Sequence, residues 1–72
     1  MSTMHRYLII IEKAQGNYSA FSPDVPGCIA TGATREEAEQ EFHLALRMHL
    51  EGLKEDGLPI PQPSASVGYV EV

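Results

Sequence analysis

A single helix-forming segment, residues 35–56, lies in a chain otherwise made of short β-type segments, and this feature constrains the fold most. Thr34 and Glu37 have the spacing of a capping box, in which a hydroxyl and a carboxylate accept hydrogen bonds from amides at the helix start. Gly57 follows, as is typical of a residue that ends a helix in the left-handed conformation. One helix covers only one face of a small sheet, so the pattern predicts an α+β domain with an open sheet face.

Short strands flank this helix on both sides. The sequence predicts strands at residues 5–14, 18–22, 28–32 and 67–72. Gln15-Gly16-Asn17 favours a hairpin turn between the first two strands. Alternating prolines between residues 58 and 64 indicate an extended connector before the last strand. The predicted order is βββαβ, a three-stranded antiparallel meander, one helix and a final strand, in a single domain over residues 1–72.

Length and charge limit the function classes. The chain has 72 residues and a net charge of −5, from 5 Lys and Arg against 10 Asp and Glu. This excess of acidic residues argues against binding to nucleic acid, which needs clustered basic side chains, but it is compatible with a basic protein partner. The lone Cys28 excludes an internal disulfide and indicates a reducing, cytoplasmic setting. No apolar run is long enough to span a membrane.

The two sides of the predicted helix differ in character. At about 100° per residue, one arc is apolar and should pack on the sheet: Ala38, Phe42, Ala45, Leu46, His49, Leu50 and Leu53. The opposite side carries Leu44 and Met48 among acidic residues: Glu37, Glu41, Glu51 and Glu55. The two apolar residues are either scattered surface residues or an anchor within an acidic rim, which is typical of a protein-binding site.

Apolar residues occur on both faces of the predicted sheet. In the first strand Tyr7, Ile9 and Ile11 point to one side, whereas Leu8 and Ile10 point to the other. We assign the second side to contacts between chains, with these residues: Leu8, Ile10, Phe21 and Val70. Since no second helix is available to cover that side, we expect a homodimer or homotetramer, a partner protein, or both.

The residues with catalytic or metal-binding potential form no recognisable set. His43 and His49 are six residues apart, which does not match the i, i+4 spacing of helical metal ligands. We expect His49 to pack in the apolar arc, Cys28 to be a small buried residue, and Asp24 to form a turn. The sequence therefore predicts no catalytic residues, no metal site and no cofactor.

Several segments together resemble the HicB-like antitoxin family. They are Pro23-Asp24-Val25-Pro26-Gly27-Cys28, then Gly32, then Thr34-Arg35-Glu36-Glu37-Ala38, then Ala45 and Leu50, and finally Gly57-Leu58-Pro59-Ile60-Pro61-Gln62-Pro63. The resemblance covers nearly the whole chain. Each piece is short, and the combination at these intervals makes the resemblance fairly specific.

The resemblance implies a partial ribonuclease-H-like fold without nuclease activity, since acidic metal ligands are missing. It implies a protein that oligomerises and neutralises a small HicA-type RNA-cleaving toxin by covering the toxin's active site. Two candidate contacts for the toxin stay open. Helical-wheel geometry suggests the acidic helix side, with Glu37, Glu41, Leu44, Met48 and Glu51; an exposed sheet edge that accepts the partner by strand addition is the alternative. Many family members carry a further DNA-binding segment, and from this chain we expect no direct DNA binding.

Two alternatives stay open from the sequence. The chain could be an orphan oligomeric regulatory or structural domain without a toxin. It could also be a small enzyme that uses Asp24, Cys28 or His49, although no motif supports that interpretation. A HicA-like chain encoded beside the gene would favour the antitoxin interpretation over both.

Overall fold

The computed structural model describes residues 5–72 and shows an α+β fold of three antiparallel strands followed by one helix. The strands are β1 (Ile10–Ala14), β2 (Asn17–Phe21) and β3 (Ile29–Gly32), and the helix is α1 (Arg35–Glu55). The sheet order is β1-β2-β3, as expected for a meander. The first four elements of the predicted order βββαβ are thereby confirmed.

The first strand begins later than the sequence predicts, at Ile10 instead of residue 5. Ile10 pairs with Phe21, which is the last residue of β2. Beyond Phe21 the chain enters a turn in which the Val25 amide donates to the Ser22 carbonyl. Residues 5–9 therefore have no strand to pair with, although Tyr7 and Ile9 still pack against the core.

Both ends of α1 have the side-chain and backbone caps that the sequence suggests. Thr34 Oγ1 accepts a hydrogen bond from the Glu37 amide at 3.1 Å, and Glu37 Oε1 accepts one from the Ala33 amide at 2.6 Å. The Glu37 carboxylate thus reaches the residue before the cap. At the other end Gly57 has φ +70°, and the Leu58 amide donates to the Leu53 carbonyl in a Schellman motif.

A small core joins the helix to the sheet. Its buried residues come from β2, from the loop before β3 and from the first half of α1: Ala20, Val25, Cys28, Ala38 and Phe42. Gly32 at the end of β3 is packed so closely that a Cβ there would lie 2.5 Å from the Ala38 backbone nitrogen. This absence of a side chain lets the helix start lie directly on the sheet.

The second half of α1 extends past the sheet. A helix of 21 residues is about 31 Å long, whereas strands of 5 residues span about 17 Å. His49 lies in this overhanging half and is exposed, so the expectation that it packs in the core is wrong. Leu50 and Leu53 on the same side are only partly buried.

Residues 58–72, here called the tail, contain no helix or strand. The tail runs back from the end of α1 toward residues 6–9, with which residues 65–67 line an open cleft. The strand predicted at residues 67–72 is not among the observed elements, because no strand of the described chain pairs with it.

Candidate partner-binding surfaces

The first candidate surface lies on the solvent side of α1. Leu44 and Met48, one turn apart, are 55% and 65% exposed. Glu41 and Glu51 are exposed on the same side of the helix. We call these four residues the helix patch. Glu37, which the sequence also assigns to this surface, lies one turn earlier and uses its carboxylate in the helix cap.

The second candidate surface is the sheet face that points away from the helix. Residues directly opposite each other in an antiparallel sheet share a face. Ile11, Ala20 and Ala30 stand opposite one another and face the core, so the neighbouring set Ile10, Phe21 and Ile29 faces outward. This outward row crosses all three strands.

The side chains of the outward row, and the two further residues that the sequence assigns to this face, differ in exposure. Ile29 is 65% exposed, and Ile10 and Phe21 are partly exposed. Leu8, partly exposed, lies before β1, and Val70 lies in the tail with 87% exposure. Sequence reasoning placed Leu8, Ile10, Phe21 and Val70 on this side but missed Ile29. Its register opposite Phe21 is the signal that identifies it.

A third arrangement, which the sequence did not indicate, fastens the tail to the loop before β3. Asp24 Oδ2 accepts hydrogen bonds from the Ser64 and Ala65 amides, each at 3.1 Å, and Oδ1 accepts one from the Ser64 hydroxyl at 3.0 Å. The Tyr7 hydroxyl donates to the Pro61 carbonyl at 2.5 Å. We call these five residues the tail anchor.

Electrostatics within the tail anchor follow from these bonds. The Ala65 amide, followed by the amide and hydroxyl of Ser64, lowers the pKa of Asp24 against the opposing effect of partial desolvation. Desolvation, followed by the negative charge of Asp24, raises the pKa of Tyr7. The anchor therefore favours a charged Asp24 and a protonated Tyr7, which are the states that its hydrogen bonds require.

The remaining residues of chemical interest lie apart from these surfaces. Cys28 is a buried free thiol, as expected, and burial raises its pKa. His5 stacks on Tyr7 with ring centroids 6.0 Å apart. Within residues 5–72, no three His, Cys, Asp or Glu side chains lie close enough together to hold a metal ion. No helix in that range has the length and apolar character needed to cross a membrane.

Comparison with known proteins gives one family and several relatives. A protein in the rep-hol intergenic region of Haemophilus phage HP1 is 38% identical over 64 residues, which are 89% of this chain and 48% of the phage protein. The chain thus spans about half the length of that relative. A UPF0150 protein from Synechocystis is 35% identical over 60 residues, covering 82% of this chain and 76% of the relative.

A further UPF0150 protein, from Thermoplasma acidophilum, is 34% identical over 61 residues, covering 83% of this chain and 88% of the relative. No solved structure gives a significant match. A profile of the family described as the HicB-like antitoxin of bacterial toxin-antitoxin systems matches residues 7–71, which include the sheet, the helix and most of the tail. The chain therefore belongs to the HicB-like antitoxin family.

Proposed function

We propose that this chain is an antitoxin that neutralises a small, basic, HicA-type RNA-cleaving toxin by binding to it. Family membership supports an antitoxin-type role. The observation that carries the partner assignment is the helix patch, where two exposed apolar side chains lie between exposed carboxylates. A protein that cleaves RNA must attract phosphate, so its active surface is basic and complementary to an acidic patch.

The helix patch has the make-up of a binding site for a protein. Leu44 and Met48 supply an apolar centre that a partner would remove from water, and Glu41 and Glu51 supply a charged rim around it. Methionine is flexible and adapts to the shape of a partner surface. The acidic rim steers a basic partner toward the patch, and the apolar centre then slows its dissociation.

We propose a non-enzymatic role, by occlusion of the toxin. Each of the three candidate catalytic residues has a position or a hydrogen-bond partner that is explained without catalysis. Cys28 is buried, Asp24 binds the tail, and His49 is exposed on the overhanging half of the helix. The βββα order with a tail that returns beside residues 6–9 supports the partial ribonuclease-H-like architecture that we propose, without its nuclease activity.

We also propose that the chain works in the cytoplasm as a homo-oligomer. The outward row presents apolar side chains on a sheet face that α1 does not cover. Burial of such a row against a second copy stabilises the pair, because apolar surface is removed from water. The helix patch lies on the opposite side of the domain, so the two proposed contacts use different surfaces.

The test is inhibition of the HicA-type nuclease encoded beside the gene, with purified proteins and a defined RNA. We expect wild-type protein to suppress cleavage, and Met48→Lys to weaken binding at least about tenfold, because it removes an anchor and repels a basic surface. Leu58→Lys is the matched control, since Leu58 is 51% exposed but lies beyond the helix.

Two results would contradict the proposal. Wild-type protein that leaves RNA cleavage unchanged would favour an orphan regulatory oligomer. Equal losses of binding for Met48→Lys and Leu58→Lys would remove the helix patch from the interface. The affinity is best measured by calorimetry, with circular dichroism as a check that each variant is folded.

A further inference from the structure

The edge of β1 is open for pairing. In the order β1-β2-β3, β1 has β2 on one side and no described strand on the other. An edge strand presents unpaired amide and carbonyl groups, which readily accept another strand. The opposite edge is formed by β3, which is similar in length, with 4 residues against 5. The difference lies in the tail, because residues 65–67 lie beside residues 6–9, which lead into β1. The β1 side is therefore the better site for an added strand.

The end of the tail has the properties of a strand without a partner. Its sequence, Val67-Gly68-Tyr69-Val70-Glu71-Val72, is rich in β-branched and aromatic residues. Tyr69 and Val70 are 91% and 87% exposed. Exposed apolar side chains in such a segment indicate an interaction that a single copy does not complete.

The tail anchor sets where this segment starts. Asp24 holds Ser64 and Ala65, and Tyr7 holds Pro61, so the root of the tail lies beside the residues that lead into β1. After Val67 the tail leaves the surface of its own chain, as the exposure of the next residues shows. The free segment is thus held next to an open edge without pairing to it.

We propose that residues 67–72 of one copy add as a strand to the free β1 edge of a second copy, and that the second copy returns the same contact. This inference rests on the self-association proposed above and assigns it to a segment and an edge. A second copy fits better than a basic protein because the outward row is uncharged and the two strands carry few charges, Glu71 in the segment and the oppositely charged pair Glu12 and Lys13 on β1. The two contacts are symmetric, as in closed homodimers.

The first experiment measures mass in solution. Wild-type protein should sediment at twice the chain mass of 7.9 kDa, and Val70→Asp should raise the dissociation constant at least about tenfold, because a charge would enter a strand interface. Leu58→Asp is the matched control on an exposed residue of the tail before the anchor, and it should leave the dimer intact. Circular dichroism confirms that both variants fold.

The second experiment identifies the edge by cross-linking. In a Cys28→Ala background, a tagged chain with Glu12→Cys and an untagged chain with Val70→Cys are co-expressed and treated with a short bismaleimide. Glu12 on β1 and Thr31 on β3 lie in the same row across the sheet, each opposite Ser19. Thr31→Cys is therefore the matched control. We expect a tagged–untagged product for Glu12→Cys at least about tenfold more abundant than for Thr31→Cys.

The outcomes separate the two proposals. A monomer at high concentration overturns both self-association and tail exchange. A dimer that cross-links equally at both edges, or that tolerates Val70→Asp, keeps self-association and overturns tail exchange. A chain carrying both Glu12→Cys and Val70→Cys that cross-links only within itself also overturns the exchange, because its tail then pairs with its own edge.

Discussion

The helix patch and the sheet side differ in the kind of contact that each favours. The helix patch combines two apolar side chains with carboxylates, so its attraction for a basic partner is long-ranged and weakens as salt screens it. The outward row and the β1 edge offer apolar side chains and backbone groups, whose contacts depend little on salt. Under the proposed function, each surface would therefore suit a different partner: the helix patch a basic toxin, and the sheet side a second copy of the chain.

The largest effect is expected from a substitution that destabilises the fold and thereby weakens binding at both surfaces. Gly32→Val places side-chain atoms where even a Cβ would lie 2.5 Å from the Ala38 nitrogen. Because the clash is with backbone, we expect a loss of unfolding free energy at the upper end of about 1–3 kcal/mol. Urea unfolding measures it, and both binding activities should fall in parallel.

Gly52→Ala is the control for that change, since a Cβ at Gly52 meets nothing within 4 Å. In the last turn of α1 this substitution should raise stability by at most about 0.5–1 kcal/mol. An unaltered urea midpoint for Gly32→Val would show that the close contact of helix and sheet is not needed.

Reversal of the charges on the helix patch should show whether this patch, and not the sheet side, attracts the toxin. Glu41→Lys with Glu51→Lys is expected to slow association with the toxin at least about tenfold at low salt, and much less at about 0.5 M salt. Stopped-flow association rates at several salt concentrations measure this. Glu12→Lys with Glu71→Lys changes the net charge equally, but on the sheet and the tail, and should retain more of the rate. A similar loss in both pairs would mean that net charge alone steers the partner.

A substitution in the outward row should have a smaller effect, and this effect should be on self-association. Ile29→Thr removes apolar surface from a side chain that is 65% exposed, so stability of the single chain should hardly change. Self-association should weaken about fivefold, the loss expected for one contact residue of ordinary weight. Analytical ultracentrifugation measures it, and toxin binding should stay the same. Thr31→Ala, on the same face, is the control, and an effect as large there would argue against an apolar contact.

The smallest effect should be a pH dependence of the tail anchor. Because folding lowers the pKa of Asp24, its contribution to stability is fully present above the ordinary value of 3.8 and is lost as pH falls through the lowered pKa. Below about pH 4, exchange of the Ser64 and Ala65 amides with solvent should lose protection. Asp24→Asn should show weaker protection at neutral pH and little further change in acid. Identical pH profiles for the two proteins would exclude Asp24 as the cause.

Local signals in the sequence predicted the three strands and the helix, whereas the strand predicted at residues 67–72 is not observed and contacts between distant residues were harder to predict. The caps at Thr34 and Gly57 predicted the bounds of α1 to within a residue, because capping depends on neighbours along the chain. The start of β1 at Ile10 depends on where β2 ends, which alternation within the first strand does not reveal.

The surfaces were predictable in part for the same reason. The exposure of Leu44 and Met48 follows from helical periodicity. The exposure of His49 depends on how far the helix extends beyond the sheet. Asp24 has the appearance of a turn residue, yet its carboxylate binds Ser64, which is 40 positions away. No local pattern encodes a hydrogen bond over that separation.

The tail anchor limits how far the residues that follow it can extend. With Ala65 held by Asp24, residues 66–72 can extend at most about 23 Å from the anchor. That distance is less than twice the 13.6 Å radius of gyration, so in the proposed exchange residues 67–72 would reach only a copy that already touches the domain. A short tether of this kind gives a high effective concentration for an adjacent copy and does not capture distant ones.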